Sequence, residues 1–172
     1  MMFRATKALL LVLFSFPAWA ATPITAGTDL STVLNSSGEY ELQAGTHTVS
    51  TGFTMATSVT LTCVPEASIL LSSSVILKFD DNNIISGCNW RMSNDSRLQA
   101  EAVGGNTFVQ NAIIDSNVFS PSGTITTAPT LRFGQGFNSY HRNNIVRNNS
   151  FFSVVVLEEV GDNIDYIGNQ WF

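Results

Sequence analysis

The stretch Asn143–Ser153 reads NNIVRNNSFFS, and it sets a conflict that few backbones resolve. Four asparagines surround the pair Ile145-Val146, and Phe151-Phe152 follow at once. Asparagine is a poor strand former, whereas Ile, Val and Phe are strand material. Similar mixtures recur in NAIIDSNVFS, Asn111–Ser120, and in NIDYIGNQWF, Asn163–Phe172. Aligned on the pattern apolar-x-x-Asn-x-aromatic, the copies are Ile114/Asn117/Phe119, Val146/Asn149/Phe151 and Tyr166/Asn169/Trp171. ISGCNW adds Ile85/Cys88/Trp90, with cysteine at the asparagine place. Successive copies start 29, 32 and 20 residues apart (85 to 114, 114 to 146, 146 to 166). Self-similarity at intervals of roughly 20–50 residues marks a solenoid rather than a β-sandwich.

A parallel β-helix reconciles the two residue classes. Each coil stacks strand on strand about 4.8 Å from the last, so inward positions form columns of like residues. The expected columns are Ile85/Ile114/Val146/Tyr166 and the aromatic stack Trp90/Phe119/Phe151/Trp171. Between strands the backbone bends sharply, and Asn tolerates the left-handed conformation there. Its amide both donates and accepts, so Asn117, Asn149 and Asn169 are expected to form a hydrogen-bonded ladder. Only Thr28–Ser36, TDLSTVLNS, carries a helical pattern. Thr28 or Asp29 can cap it, and Leu30, Val33 and Leu34 share one face that would plug the open core. The rest reads as short strands broken by Gly, Asn, Asp, Ser and Pro. The longer periods imply outward excursions, expected at Asn94–Gly105 and Ser120–Thr130.

The first twenty residues, MMFRATKALLLVLFSFPAWA, have the order of a secretory signal peptide. Arg4 and Lys7 precede an apolar run ending at Phe16, and Ala18-Trp19-Ala20 supplies the cleavage pattern. The run is too short to anchor in a membrane, which takes roughly 20 apolar residues. The expected mature chain, 21–172, has 172 − 20 = 152 residues, enough for one domain, and a net charge of 6 − 13 = −7. Lys78 is its only lysine. Such an acidic chain is a poor candidate for nucleic acid, and no further apolar run spans a bilayer. In an exported chain Cys63 and Cys88 default to a disulfide, with two buried thiols as the alternative. Neither His47 nor His141 has neighbours at metal-ligand spacing. Asn35, Asn94 and Asn148 begin N-x-Ser sequons, which matter only in a glycosylating host.

Two sets of residues carry a family resemblance. One is the entry LQAGTHTVSTGFTMATSVTLTC, Leu42–Cys63, with its Ala44-Gly45-Thr46-His47 corner; the other is the Ile-x-x-Asn-x-Phe repeat. Together they resemble the pectate-lyase-like (pectin lyase-like) right-handed parallel β-helix superfamily over about Thr28 to Phe172. The resemblance implies the fold and a polysaccharide ligand, but many functions share this coil. The motifs of the superfamily's calcium-dependent lyases are missing, and of those of its hydrolases only the paired acids Asp80-Asp81 appear.

Candidate site residues are therefore weighed one by one. Asp80 and Asp81 could ligate Ca²⁺ or act as an acid pair, yet the plainer reading is a polar turn. Asp115 and Arg147 hold the same repeat position on neighbouring coils, as one edge of a saccharide site or as an ion pair. His141, beside Tyr140 and Arg142 after GQGFNS, is expected on an exposed excursion as a candidate proton carrier. Glu158, Glu159, Asp162 and Asp165 cluster in the last coil and are expected to be solvated. YIGNQWF stops within a repeat, so further coils or another subunit are expected over Trp171 and Phe172. The expected function is a secreted, extracellular or periplasmic β-helix interacting with polysaccharide, by itself or as the N-terminal part of a lyase or hydrolase. The alternative is a non-catalytic structural or adhesin module, and no cofactor is implied.

Overall fold

The computed structural model describes residues 20–100, 109–133, 141–158 and 163–172. The chain opens with β1 (Thr22–Ile24) and α1 (Leu30–Val33), and strands then come in threes. The first set is β2 (Gly38–Leu42), β3 (Gly45–Val49) and β4 (Phe53–Thr54), followed by β5 (Val59–Cys63), β6 (Ala67–Leu71) and β7 (Ile76–Phe79). Next are β8 (Ile84–Ser86), β9 (Asn89–Met92) and β10 (Arg97–Ala100), then β11 (Ile113–Asp115), β12 (Val118–Pro121) and β13 (Thr130–Phe133). Finally come β14 (Asn144–Arg147), β15 (Ser150–Phe151) and β16 (Val155–Glu158), with β17 (Ile164–Ile167) and β18 (Gln170–Trp171).

β1 pairs with β2, and from β2 to β15 each strand pairs with the strand three places on. The result is three parallel sheets, in the orders β1-β2-β5-β8-β11-β14-β17, β3-β6-β9-β12-β15-β18 and β4-β7-β10-β13-β16. This all-parallel stacking is consistent with a β-helix. The sequence intervals reappear as strand register: Ile85 lies opposite Ile114, Ile114 opposite Val146, and Val146 opposite Tyr166.

Alternation of side chains gives each sheet an inner face. Leu61, Ile85, Ile114 and Val146 are fully buried from the first sheet, and Leu77, Leu98 and Leu131 from the third. From the second sheet come Trp90, Phe119 and Phe151, stacked with Trp171 at centroid separations of 5.9, 5.0 and 4.4 Å. Trp171 ends the pile with 55% of its surface exposed. Ala100 lies between Phe79 and Phe133 in register, and its small side chain lets those rings meet edge to face at 5.5 Å.

The bends are where the polar groups are reconciled. Asn149 donates through Nδ2 to Asn169 Oδ1 at 3.0 Å, and Asn117 does the same to Asn149 at 3.1 Å. Each amide also reaches back one coil: Asn117 Nδ2 donates to Ile85 O, while Asn117 Oδ1 accepts from Cys88 N and Trp90 Nε1. The left-handed residue is not the ladder asparagine, as the sequence reading has it, but the one before it. Gly87, Ser116, Asn148 and Gly168 have φ between 55° and 69°. The reason is geometric: the preceding residue makes the turn, which aims the asparagine side chain inward along the stack. Cys88, at the asparagine place, is bonded to Cys63 across adjacent coils.

Two further expectations need correction. The helix is a single turn, Leu30–Val33, not Thr28–Ser36. Asp29 caps it, accepting from Ser31 N at 2.9 Å, and Leu34 N–H closes back on Leu30 O before the serines and Gly38 take over. Leu30 and Leu34 still bury fully, joining the core. The excursion expected over Asn94–Gly105 contains β10, because Leu98 and Ala100 alternate into the core; residues 101–105 lie outside the described segments.

The bends and the disulfide both contribute measurable stability. Asn117→Ala orphans the buried Trp90 Nε1, Cys88 N and Ile85 O, and should cost about 3 kcal/mol in urea unfolding. Asn89→Ala, at an exposed position, should stay within about 0.5 kcal/mol. Reducing Cys63–Cys88, which closes a separation of 25 residues, should lower stability by about 3.5 kcal/mol, measured as unfolding with and without dithiothreitol.

Candidate functional site

The outward face of the third sheet gathers three of the six basic residues of 21–172. Leu77 and Phe79 point inward on β7, so Lys78 points outward; Leu131 and Phe133 do the same for Arg132 on β13. Gln99 of β10 lies between them in register, opposite Lys78 on one side and Arg132 on the other. With strands about 4.8 Å apart, the two cationic residues stand roughly 10 Å apart at Cα. Arg97, two residues along β10 from Gln99, completes a triangle and pairs with Asp95 at 2.9 Å. Gln99 itself is only 2% exposed.

Both borders of this face are structured. On one side the segment after β12 folds back, with Asn94 Oδ1 accepting from Thr126 N at 2.8 Å and Asp95 N donating to Thr127 O. On the other side lies a groove of about 610 Å³ between β4 and β7. Its lining supplies five hydroxyls, from Ser50, Thr51, Thr54, Ser73 and Ser74, together with the Phe53 ring and Lys78. Such a surface offers many-point hydrogen bonding, a ring face and positive charge.

The residues nominated from sequence lie elsewhere. Asp115 and Arg147 do meet, on the outer face of the first sheet: Arg147 donates through Nε and Nη2 to Asp115 Oδ2 at 3.0 and 2.9 Å. Asn148 Nδ2 and Ser116 Oγ donate to Oδ1, so both carboxylate oxygens accept hydrogen bonds. Asp80 and Asp81 form a turn, with Asp81 N donating to Asp80 Oδ1 and Gln110 N to Asp81 Oδ1. No group of three or more His, Cys, Asp or Glu among the described residues is placed to hold a metal ion.

His141 corrects an expectation. It is 2% exposed rather than on an exposed excursion, and its Nδ1 accepts from Val109 N at 3.1 Å. Its ring meets Phe133 edge to face at 6.0 Å, because the chain re-enters the wall here and carries the imidazole into the core. Tyr140, Glu159 and Asp162 lie outside the described residues; Asp165 is exposed on β17. Among the described residues no helix is long and apolar enough to cross a membrane.

Sequence reasoning missed the cationic triangle. Its trace is Leu-Lys-Phe, Leu-Gln-Ala and Leu-Arg-Phe, starting at Leu77, Leu98 and Leu131, but the intervals of 21 and 33 residues hide the repeat.

The Asp115 carboxyl has a lowered pKa. Burial raises it, but the hydrogen bonds from Arg147, Asn148 and Ser116 and the Arg147 charge together outweigh burial. A folded pKa below the unfolded one means that the stabilisation is full above the unfolded value and is lost as pH falls through the folded one. Arg147→Met should therefore raise the Asp115 titration midpoint, read by carboxyl ¹³C NMR, and flatten the loss of stability on acidification below the ordinary aspartate range.

No family model, curated protein or solved structure matches the chain, so its fold and site rest on geometry alone.

Proposed function

We propose that this chain is an exported, right-handed parallel β-helix of the pectate-lyase-like kind that binds a polysaccharide along the outer face of its third sheet. The observation that carries the reading is the grouping of Lys78, Arg97 and Arg132 on that face, beside a hydroxyl-lined groove. Of the six basic residues in 21–172, half stand there, in a segment of net charge 6 − 13 = −7. A guanidinium fork and an ammonium suit sugar carboxylates, and the neighbouring hydroxyls and ring suit the sugar body. The polymer favoured is therefore an acidic, uronate-containing glycan.

Several features support the wider reading. Right-handed crossover is the rule for parallel strands joined within one sheet. The Ala18-Trp19-Ala20 pattern and the Cys63–Cys88 bond fit an oxidising, extracytoplasmic compartment. Leu30 and Leu34 are buried in the core near its N-terminal end, and Trp171, 55% exposed, offers a ring on which further coils or another subunit would stack. The proposal is for binding and assigns no bond-breaking step.

Calorimetric titration with hexagalacturonate tests it. Lys78→Gln and Arg132→Gln should each weaken binding about tenfold, and salt should weaken binding to the native protein. Failure of the native chain to bind acidic oligosaccharides would overturn the reading.

A further inference from the structure

Around the corner from the third sheet lies a second groove, of about 320 Å³, a size in the range of small-ligand sites. It is lined by Thr28 ahead of α1, by Thr46 and Thr48 on the outer face of β3, and by Ser50, Thr51 and Phe53 at the next bend. Ser50, Thr51 and Phe53 line both grooves, so only this bend separates them. Gly52 at this bend has no room for a side chain, since a Cβ there would come within 2.7 Å of Ile76 O.

The chemistry of the second groove differs from that of the first. It contains no cation. Its one acid, Asp29, already accepts from Ser31 N at 2.9 Å and Ser31 Oγ at 2.7 Å through Oδ1 as the cap of α1. Thr28 and Thr46 share hydroxyl contacts with Thr25 and Ser68, whereas Thr48, Ser50 and Thr51 make no side-chain hydrogen bond to described residues. Three uncommitted hydroxyls beside an aromatic ring, with no positive charge, match an uncharged polyol and not an anion.

We infer that this groove is a binding subsite for uncharged hexose units, contiguous with the third-sheet face across the Gly52 divide. The inference rests on the polysaccharide reading and adds a segregation of charge: acidic units lie against Lys78 and Arg132, and neutral units lie against Thr48 and Thr51. The ligand that fills both is a polymer of mixed acidic and neutral sugars.

The two subsites differ in their response to salt. The test is calorimetric titration of the full chain with uncharged β-1,4-linked hexaoses of glucose, mannose and galactose, and with hexagalacturonate, each at low and high ionic strength. At least one neutral hexaose should bind with an affinity that salt changes less than about twofold, because no charge is involved. Thr48→Val and Thr51→Val keep the β-branched shape and should weaken that binding by roughly two- to tenfold each; Thr48 lines the second groove and not the first, so Thr48→Val should leave hexagalacturonate binding at the Lys78 side within about twofold. Lys78→Gln with Arg132→Gln should show the reverse pattern. If hexagalacturonate binds and no neutral hexaose does, the inference falls and the third-sheet reading stands. Neutral binding that ignores both threonine variants also overturns it. If no sugar binds at all, both fall together.

Discussion

Peptide groups at the bends govern what this chain can contain. Each circuit of three strands turns sharply at its corners, and a corner stacked between neighbours cannot be solvated from above or below. An unpaired N–H or C=O there costs as much as a lost hydrogen bond, so each needs a partner fixed in place. The ladder asparagines supply it with one side chain: Asn117 accepts from Cys88 N and donates to Ile85 O, sealing the bend of the coil before its own. Asn149 does the same for Asn117 N and Ile114 O, and Asn169 for Asn149 N and Val146 O. Aspartate would lack the donor, and leucine both partners. Cys88 lacks this amide, and at its place the link to the coil before is the bond to Cys63.

A second corner follows the same logic with different residues. Asn144 Oδ1 accepts from Ala112 N at 2.8 Å and its Nδ2 donates to Val109 O, while Asn83 joins Asp80 N to Ala56 O. Asn82, Asn111 and Asn143 precede these positions with φ between 54° and 57°. They stand three residues ahead of the repeat starts Ile85, Ile114 and Val146, so the second corner was also written at intervals of 29 and 32. It escaped the repeat pattern because Ala112 interrupts the buried asparagines, much as Cys88 interrupts the first ladder.

What was readable and what was not divides along inward and outward positions. Inward positions are constrained by both neighbouring coils, so Ile85, Ile114 and Val146 or Trp90, Phe119 and Phe151 repeat in kind and betray the parallel stacking. Outward positions answer to solvent and ligand. Lys78, Gln99 and Arg132 share a column yet share no chemistry that a pattern would detect. His141 shows the reverse failure: a polar residue next to glycines reads as surface, but its place in the register took it inside against Phe133. Similarly, β10 was hidden in a polar segment because two alternating positions, Leu98 and Ala100, suffice to define a strand once β7 and β13 flank it.

The grooves near the first coil arise from a mismatch between its parts. β4 is the edge of the third sheet, so Phe53 is covered by Leu77 on one side and by no strand on the other. The core there is filled by Leu30 of the one-turn helix and by Leu34 just after it, and the helix offers no strand edge to pair with β4. A strand in that place would have sealed the edge with ladder hydrogen bonds. The helix instead leaves space beside Phe53, while the hydroxyls of Thr48, Ser50 and Thr51 make the adjoining surface polar enough to remain open. A one-turn helix beside the first strands and an open cleft next to it thus go together, and the parallel strands beyond β4 hold the lining of that cleft in place.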